Sequence, residues 1–115
     1  LPKVYTNEAA VKQVLEILID NALKYVNEGG KIVIHAQESG NQITIKIWDN
    51  GPVISSEDLP HIFERFYKGK NSAAADSSGL GLAIAHEIIE RLDEKIWVKS
   101  DPGKGTTFYF TIHKK

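Results

Sequence analysis

The chain has no cysteine, no methionine and no excess of either sign of charge. The lack of cysteine excludes a disulfide framework and thiol chemistry, and it favours a reducing compartment. The 14 Lys and Arg against 15 Asp and Glu give a formal net charge of -1, which disfavours nucleic-acid binding and a polybasic membrane surface. No apolar run approaches the roughly 20 residues of a membrane span, and the start of the chain does not resemble a leader. We expect one domain over residues 1–115 that contacts neither nucleic acid nor membrane.

Two segments repeat apolar residues at steps of three and four, which is typical of helices. In the first, Asn7 is the predicted N-cap and Gly29-Gly30 the stop. Its apolar positions are Val11, Val14, Leu15, Leu18, Ala22 and Val26. The second segment begins at Gly79-Leu80-Gly81, and its inward positions are Leu82, Ala85, Ile88, Ile89 and Leu92. Between them, Ser56 is the predicted cap of a short helix with Pro60 in its first turn. Residues 68–78 lack large apolar side chains and form a predicted mobile loop.

Further segments alternate apolar and polar residues with a period of two, which predicts strands. A predicted antiparallel hairpin with one buried face carries Ile32, Ile34 and Ala36 in one strand and Ile43, Ile45 and Ile47 in the other. The last two strands carry Ile96 and Val98, then Phe108, Phe110 and Ile112, on either side of a tight turn at residues 101–105. Helices and antiparallel strands in this order predict an α+β fold with helices layered on one sheet.

The first predicted helix carries one candidate site. Asn21 and Lys24 share a stripe beside the apolar stripe, although Asn disfavours helix interiors because its amide competes for backbone hydrogen bonds. An amide oxygen here suits Mg²⁺ that also binds phosphate oxygens, and Lys24, one turn on, suits a phosphate. The alternative is a tolerated surface Asn and a solvated Lys.

Asp49 is the second candidate, because it continues the odd-numbered series of core isoleucines and so is predicted to point inward. A carboxylate there is costly unless a donor meets it, and an exocyclic amino group would be such a donor. Gly51 would let a ligand or another segment approach the backbone closely. The alternative is an Asp that caps the turn at Asn50-Gly51.

Two glycine-rich stretches could contact the same ligand. The start of the second long helix, at Gly79, Leu80, Gly81 and Leu82, would offer free N–H groups and a helix dipole to an anion such as a polyphosphate. Thr106 follows the turn that begins at Gly103, and its hydroxyl could help Asp49 hold a base. A plain loop-to-helix joint and a plain strand-joining turn are the alternatives.

Taken together, five motifs resemble those of the ATP-binding catalytic domain of bacterial sensor histidine kinases, in the order found in that family. They are the N box at residues 18–25, the G1 box at 49–52, the F box at 62–68, the G2 box at 78–84 and the last glycine motif at 103–108. The set covers nearly the whole chain. The resemblance implies the Bergerat-type fold of gyrase B, Hsp90 and MutL, a two-layer sandwich with a mixed, mostly antiparallel sheet covered on one face by helices.

The resemblance also implies roles for individual residues. Asn21 would ligate Mg²⁺, and Asp49 would accept the adenine amino group with help from Thr106 through water, while Gly51 would admit the base. The other implied nucleotide contacts are Lys24, Tyr25, Val53, Lys68, Gly79, Leu80, Gly81 and Leu82. Residues 55–78 would form an ATP lid.

As function, the resemblance implies a protein-histidine kinase domain that binds MgATP and donates its γ-phosphate to a histidine. That histidine would lie on a separate dimerisation domain absent from this chain, and a response regulator would be an indirect partner. The domain would be a cytoplasmic monomer in isolation, belonging to a membrane-bound parent. None of its own four His is expected to be the phosphoacceptor.

Three residues depart from the family pattern. Val53 and Ser77 each replace a Gly, and Ile17 replaces an Asn or Glu one turn before Asn21. Because Ile17 cannot activate water, a stand-alone ATPase is disfavoured. A degenerate, non-catalytic nucleotide-binding or protein-docking module is the alternative to the kinase.

Overall fold

The computed structural model describes residues 8–26, 29–67 and 80–114. In chain order these form helix α1 (Glu8–Tyr25), strands β1 (Ile32–Ser39) and β2 (Gln42–Asp49), a 3₁₀ helix (Leu59–His61), helix α2 (Gly81–Arg91), and strands β3 (Ile96–Asp101) and β4 (Gly105–His113). The predicted helices and strands of these ranges are confirmed, but α1 ends at Tyr25, so the prediction that it continues through Val26 toward a stop at Gly29-Gly30 is wrong. The predictions for Asn7, Lys68, Ser77, Gly79 and the loop at residues 68–78 lie outside the described residues.

The four strands form one sheet in the order β1-β2-β4-β3, and each pair of neighbours is antiparallel. The central strands β2 and β4 place Ile47 opposite Phe108 and Ile45 opposite Phe110. Among the described strands there is no parallel pair. The sheet expected to be mixed is therefore antiparallel throughout this part of the chain.

Both long helices contribute to a single core. The core residues are Val14, Leu18 and Ala22 of α1, Ala85 and Ile89 of α2, and Ile47, Phe108 and Phe110 of the sheet. The four-residue steps in each helix match the predicted inward stripes, and each fully buried large side chain stabilises the fold by roughly 1.5–3 kcal/mol. Helix α1 packs against both α2 and β2. The predicted α+β architecture, with a helical layer on one face of the sheet, is confirmed.

Strand β1 pairs as predicted but is not buried as predicted. Ile34 lies opposite Ile47, yet 51% of its surface is exposed, and Ala36 is exposed as well. The prediction of a buried row on β1 is therefore wrong at these two residues. The reason is position, because β1 is an edge strand and α1 packs over its neighbour β2.

The short helix before the F box begins with a different cap from the one predicted. Its N-cap residue is Asp58, without a side-chain cap hydrogen bond, so the predicted cap at Ser56 is wrong, while Pro60 in the first turn is confirmed. In the turn just before this helix, the hydroxyl of Ser55 accepts the Asp58 amide at 3.2 Å, and the Ser55 carbonyl accepts the amides of Asp58 and Leu59 at 3.0 Å. Neither helix within the described ranges has the length and apolar character needed to cross a membrane.

Candidate functional site

Three polar side chains form a row across one end of the sheet, on the face that packs against the helices. Asp49 of β2 is the register partner of Thr106 of β4, which is in turn the partner of Ser100 of β3. Asp49 follows the buried Ile47 and Thr106 precedes the buried Phe108, so both continue the inward alternation of their strands. The structure thus brings Asp49 and Thr106 together, and it adds Ser100, which was not predicted.

Asp49 is a buried acid, with only 3% of its surface exposed. Its Oδ1 accepts the backbone N–H of Gly51 at 2.9 Å. Burial raises the pKa of Asp49, and the hydrogen bond from Gly51 works in the opposite direction. Over the described ranges this amide is the one donor recorded on the carboxylate, so a further donor from a ligand would offset part of the cost of burying it.

Gly51 is required by the protein's own packing. A Cβ at this position would lie 2.6 Å from the carbonyl oxygen of Tyr25 and 3.0 Å from Oδ1 of Asp49. The close approach that the sequence indicated is therefore made by the end of α1. This contact fixes Asp49 near that helix end, while the approach of a base to Gly51 stays a prediction.

Ser100 and Thr106 belong to a short hydrogen-bonded chain. The Ile54 amide donates to Oγ of Ser100 at 2.7 Å, and this Oγ lies 2.7 Å from Oγ1 of Thr106. Thr106 is 3% exposed. The segment after the G1 box is therefore tied to the same row that contains Asp49.

The candidate residues of α1 lie on its last turns. Asn21 is half-buried, Lys24 is exposed and Tyr25 is half-buried. Burial, with a smaller effect from the negative charge of Asp58, raises the pKa of Tyr25. The Tyr25 carbonyl also lies against Gly51, so this helix end contacts the G1 box and is within the electrostatic influence of Asp58.

Helix α2 begins where an anion site was predicted. Leu80 is its N-cap residue, and its carbonyl accepts the Ile84 amide at 2.9 Å. A Cβ on Gly81 would meet Cγ2 of Ile17 at 3.5 Å, an ordinary contact. The chain therefore does not need glycine at this position for its own packing, and Ile17 lies beside the helix start. Leu82 packs against the core.

A second buried acid, Asp58, was not predicted, because it lies in a segment without regular periodicity. It is 6% exposed, and its Oδ1 accepts the hydroxyl of Tyr67 at 2.5 Å. This hydrogen bond is the main cause that raises the pKa of Tyr67. The ring of Tyr67 stacks on His61 with centroids 5.2 Å apart. These contacts fold the F-box segment back onto the residues that precede it.

A self-contained metal cluster is not part of this site. Within the described part of the chain, no three His, Cys, Asp or Glu side chains come together as a metal site would require. Asn21 offers an amide oxygen, and Mg²⁺ is commonly held by one or two protein oxygens together with substrate phosphates and water. The residues present therefore fit a magnesium ion that arrives with a phosphate ligand. Val53, two residues after Gly51, is half-buried.

The profile of the family described as histidine kinase-, DNA gyrase B-, and HSP90-like ATPase matches residues 6–115. The chain is 36% identical, over 113 residues, to the adaptive-response sensory kinase SasA of Crocosphaera subtropica, and 40% identical to SasA of Thermosynechococcus vestitus. These alignments cover 97% of this chain and 30% of either relative. The chain thus spans about a third of the curated relatives it matches.

Solved structures share the architecture. The nucleotide-free catalytic domain of histidine kinase ThkA superposes with a TM-score of 0.79 at 34% identity, covering 92% of this chain and 67% of that one. ThkA in complex with response regulator protein TrrA superposes with a TM-score of 0.73 at 33% identity, covering 91% of this chain and 28% of that one. Full-length ShkA in complex with AMPPNP superposes with a TM-score of 0.78 at 26% identity, covering 91% of this chain and 21% of that one. These three structures thus share the fold of this chain.

Proposed function

We propose that this chain, which belongs to the family of histidine kinase-, DNA gyrase B- and HSP90-like ATPases, binds MgATP and presents the γ-phosphate to a histidine on another domain. The observation that carries the proposal is the buried acid Asp49 in a row with Thr106 at the end of the central strands. A carboxylate in that position lacks a second protein donor over the described ranges, and a nucleobase amino group would supply one.

At the base end of the proposed site, Asp49 accepts a hydrogen bond from the amino group of adenine. The Gly51 amide favours the ionised carboxylate, which acts only as an acceptor. Thr106 contributes a hydroxyl on the adjacent strand, as the register partner of Asp49, and would reach the base through a bridging water. Relatives support this choice of nucleotide, since the ShkA structure contains AMPPNP.

At the phosphate end, Lys24 supplies positive charge and the start of α2 at Leu80, Gly81 and Leu82 supplies backbone N–H groups. Lys68 and Gly79 belong to the same proposed set by sequence position. Asn21 would hold Mg²⁺ through its amide oxygen, and the ion would neutralise phosphate charge when bound. Orientation and charge neutralisation are the main requirements of phosphoryl transfer.

In the proposed reaction, a histidine nitrogen attacks the γ-phosphorus, the bond to the β-phosphate bridging oxygen breaks and ADP leaves. The attacking histidine comes from a dimerisation domain in the part of the parent protein that this chain does not cover. His61, His86 and His113 are each within 4 Å of a carboxylate, respectively Glu64, Glu90 and Glu94. These contacts favour structural roles for them.

The partners are proposed from the same comparison. A response regulator would receive the phosphoryl group from that histidine, as the ThkA–TrrA complex suggests. We place the domain in the cytoplasm, where ATP is available, as part of a membrane-bound parent. A stand-alone ATPase is disfavoured because Ile17, a hydrocarbon in the position of a water-activating group, lies beside Gly81 and cannot take a proton from water.

Calorimetry with ATP and ADP, each with and without Mg²⁺, tests the binding step. We expect Asp49→Ala to abolish measurable ATP binding, and Asn21→Ala to remove the Mg²⁺ dependence. Asp93→Asn is the matched control, since this exposed residue follows the far end of α2. Wild-type affinity in both site variants would overturn the proposed pocket.

The transfer step needs a separate assay. The chain mixed with MgATP and its parent's dimerisation domain should produce acid-labile phosphohistidine. A chain that binds ATP yet never transfers phosphate to that domain would refute the kinase and favour a nucleotide-binding or docking module.

A further inference from the structure

We propose that Ser100 is a positioning residue that sets the direction of the Thr106 hydroxyl and so contributes to the choice of adenine. The inference rests on the proposed function, because it assumes that a nucleobase lies beside Asp49. It concerns a residue that the motif resemblance did not assign, on a strand that carries none of the other proposed contacts.

The geometry around Ser100 limits what its hydroxyl can do. Its Oγ accepts the Ile54 amide at 2.7 Å and lies 2.7 Å from Oγ1 of Thr106. A serine hydroxyl has one proton and two acceptor sites. With one acceptor site used by Ile54, the contact with Thr106 has two possible directions, in which either Ser100 or Thr106 is the donor.

The field of Asp49 distinguishes the two directions. If Thr106 donated to Ser100, the lone pairs of the Thr106 oxygen would face the negatively charged Asp49. The hydroxyl proton left free would then be that of Ser100, on β3, one strand farther from Asp49. If Ser100 donates instead, the Thr106 proton is free on the strand that pairs with Asp49. A buried negative charge attracts that proton, because electrostatic interactions are strong at low local dielectric. The chain of donors therefore runs from Ile54 through Ser100 to Thr106.

This direction matters for recognition of the base. An acceptor carboxylate next to a hydroxyl donor matches an amino group next to a ring nitrogen acceptor, which is the arrangement at the amino edge of adenine. Guanine presents the opposite pattern, a carbonyl beside an N–H. Where the distance requires a water between Thr106 and the ring nitrogen, a water that accepts the Thr106 proton keeps both of its own protons, one for the ring nitrogen and one for Asp49. Ser100 would thus act on the base through Thr106.

The test compares ATP with 1-deaza-ATP, in which a C–H replaces the ring nitrogen N1. We expect the wild-type chain to bind ATP about tenfold more tightly than the analogue, the size typical of one hydrogen bond. Thr106→Val should remove most of this preference. Ser100→Ala should remove it too, although Thr106 is still present, and Ser100→Thr should retain it. Ser39→Ala, at an exposed position at the end of β1, is the matched control and should leave the preference unchanged.

A second readout needs no nucleotide. The Ile54 amide should be protected from hydrogen exchange in the wild type and in Ser100→Thr, and should exchange faster in Ser100→Ala. A Ser100→Ala chain that keeps the tenfold preference, or loses affinity for both nucleotides equally, would overturn the positioning role while leaving the proposed function intact. A wild type that binds both equally, or a Thr106→Val chain with unchanged preference, would also overturn it. Failure of the wild type to bind ATP at all would overturn the proposed function, and the inference with it.

Discussion

Two glycines, one in the turn between β3 and β4 and one at the first residue of β4, have nearly the same φ and very different surroundings. Gly103 has φ +78° and Gly105 has φ +81°. A Cβ on Gly103 would meet nothing within 4 Å, whereas one on Gly105 would lie 2.2 Å from the carbonyl oxygen of Asp49 and 2.9 Å from Nε1 of Trp48. Alanine at the two positions therefore has the same conformational strain, and the two variants differ by one steric clash.

The expected losses of stability follow from these numbers. A left-handed alanine costs ~1–2 kcal/mol, partly offset by ~0.4–1 kcal/mol from the stiffer unfolded chain, so Gly103→Ala should cost about 1 kcal/mol. Gly105→Ala adds the overpacking cost of ~1–3 kcal/mol. The total is about 2–4 kcal/mol, because the atom that must move is the backbone of Asp49. The hydrogen bond from Trp48 Nε1 to the Lys104 carbonyl, at 2.7 Å, would be strained as well.

Urea unfolding of both variants measures this difference directly, with the same slope expected for each and a lower midpoint for Gly105→Ala. We also expect Gly105→Ala to weaken ATP binding, since it displaces Asp49, and Gly103→Ala to leave binding unchanged. Equal free energies of unfolding for the two variants would show that the sheet absorbs the extra methyl group, and the steric argument would then be wrong.

Three further predictions concern buried carboxylates. Burial raises the folded-state pKa of Asp49, so ionisation of this group lowers the stability of the fold as pH rises through that pKa. Asp49→Asn should therefore be more stable than wild type near pH 7, and the difference should vanish below about pH 4. Urea unfolding of both proteins across this pH range measures the difference. Glu94 has a side chain that is 3% exposed and accepts hydrogen bonds from the hydroxyl of Thr111 and the amide of His113. Glu94→Ala should cost about 2–3 kcal/mol against roughly 0.5 kcal/mol for the exposed Glu90→Ala, and equal thermal shifts would contradict this. Because Asp58 raises the pKa of both Tyr25 and Tyr67, Asp58→Asn should lower the pH at which these tyrosines ionise in an ultraviolet titration, and an unchanged curve would refute the contact.

Strand alternation is sufficient to predict that Asp49 and Thr106 face inward, because side-chain direction in a strand has a period of two. The same rule places Ser100 on the inward face of β3, but it does not predict that Ser100 hydrogen-bonds with Ile54 and Thr106. Its partner Ile54 lies 46 positions earlier in an irregular segment. Only the fold brings the two together.

Other features depend on which strand lies at an edge and on irregular backbone. The exposure of Ile34 follows from the position of β1 in the sheet, which its own alternation cannot report. The short helix has Asp58 as its N-cap residue in place of the predicted Ser56, an error of two residues that is typical at helix ends. The contact between Asp58 and Tyr67 depends on how a segment without regular periodicity folds back on itself.

The position of Ile17 beside the start of α2 affects when a bound nucleotide would react. A hydrocarbon side chain at that place cannot accept a proton from an attacking water. Under the proposed function, a bound ATP would therefore not be hydrolysed before the histidine binds. The γ-phosphoryl group would be transferred only when the histidine of the other domain reaches the site. Release would then report an encounter between domains, and spontaneous loss to solvent would contribute little.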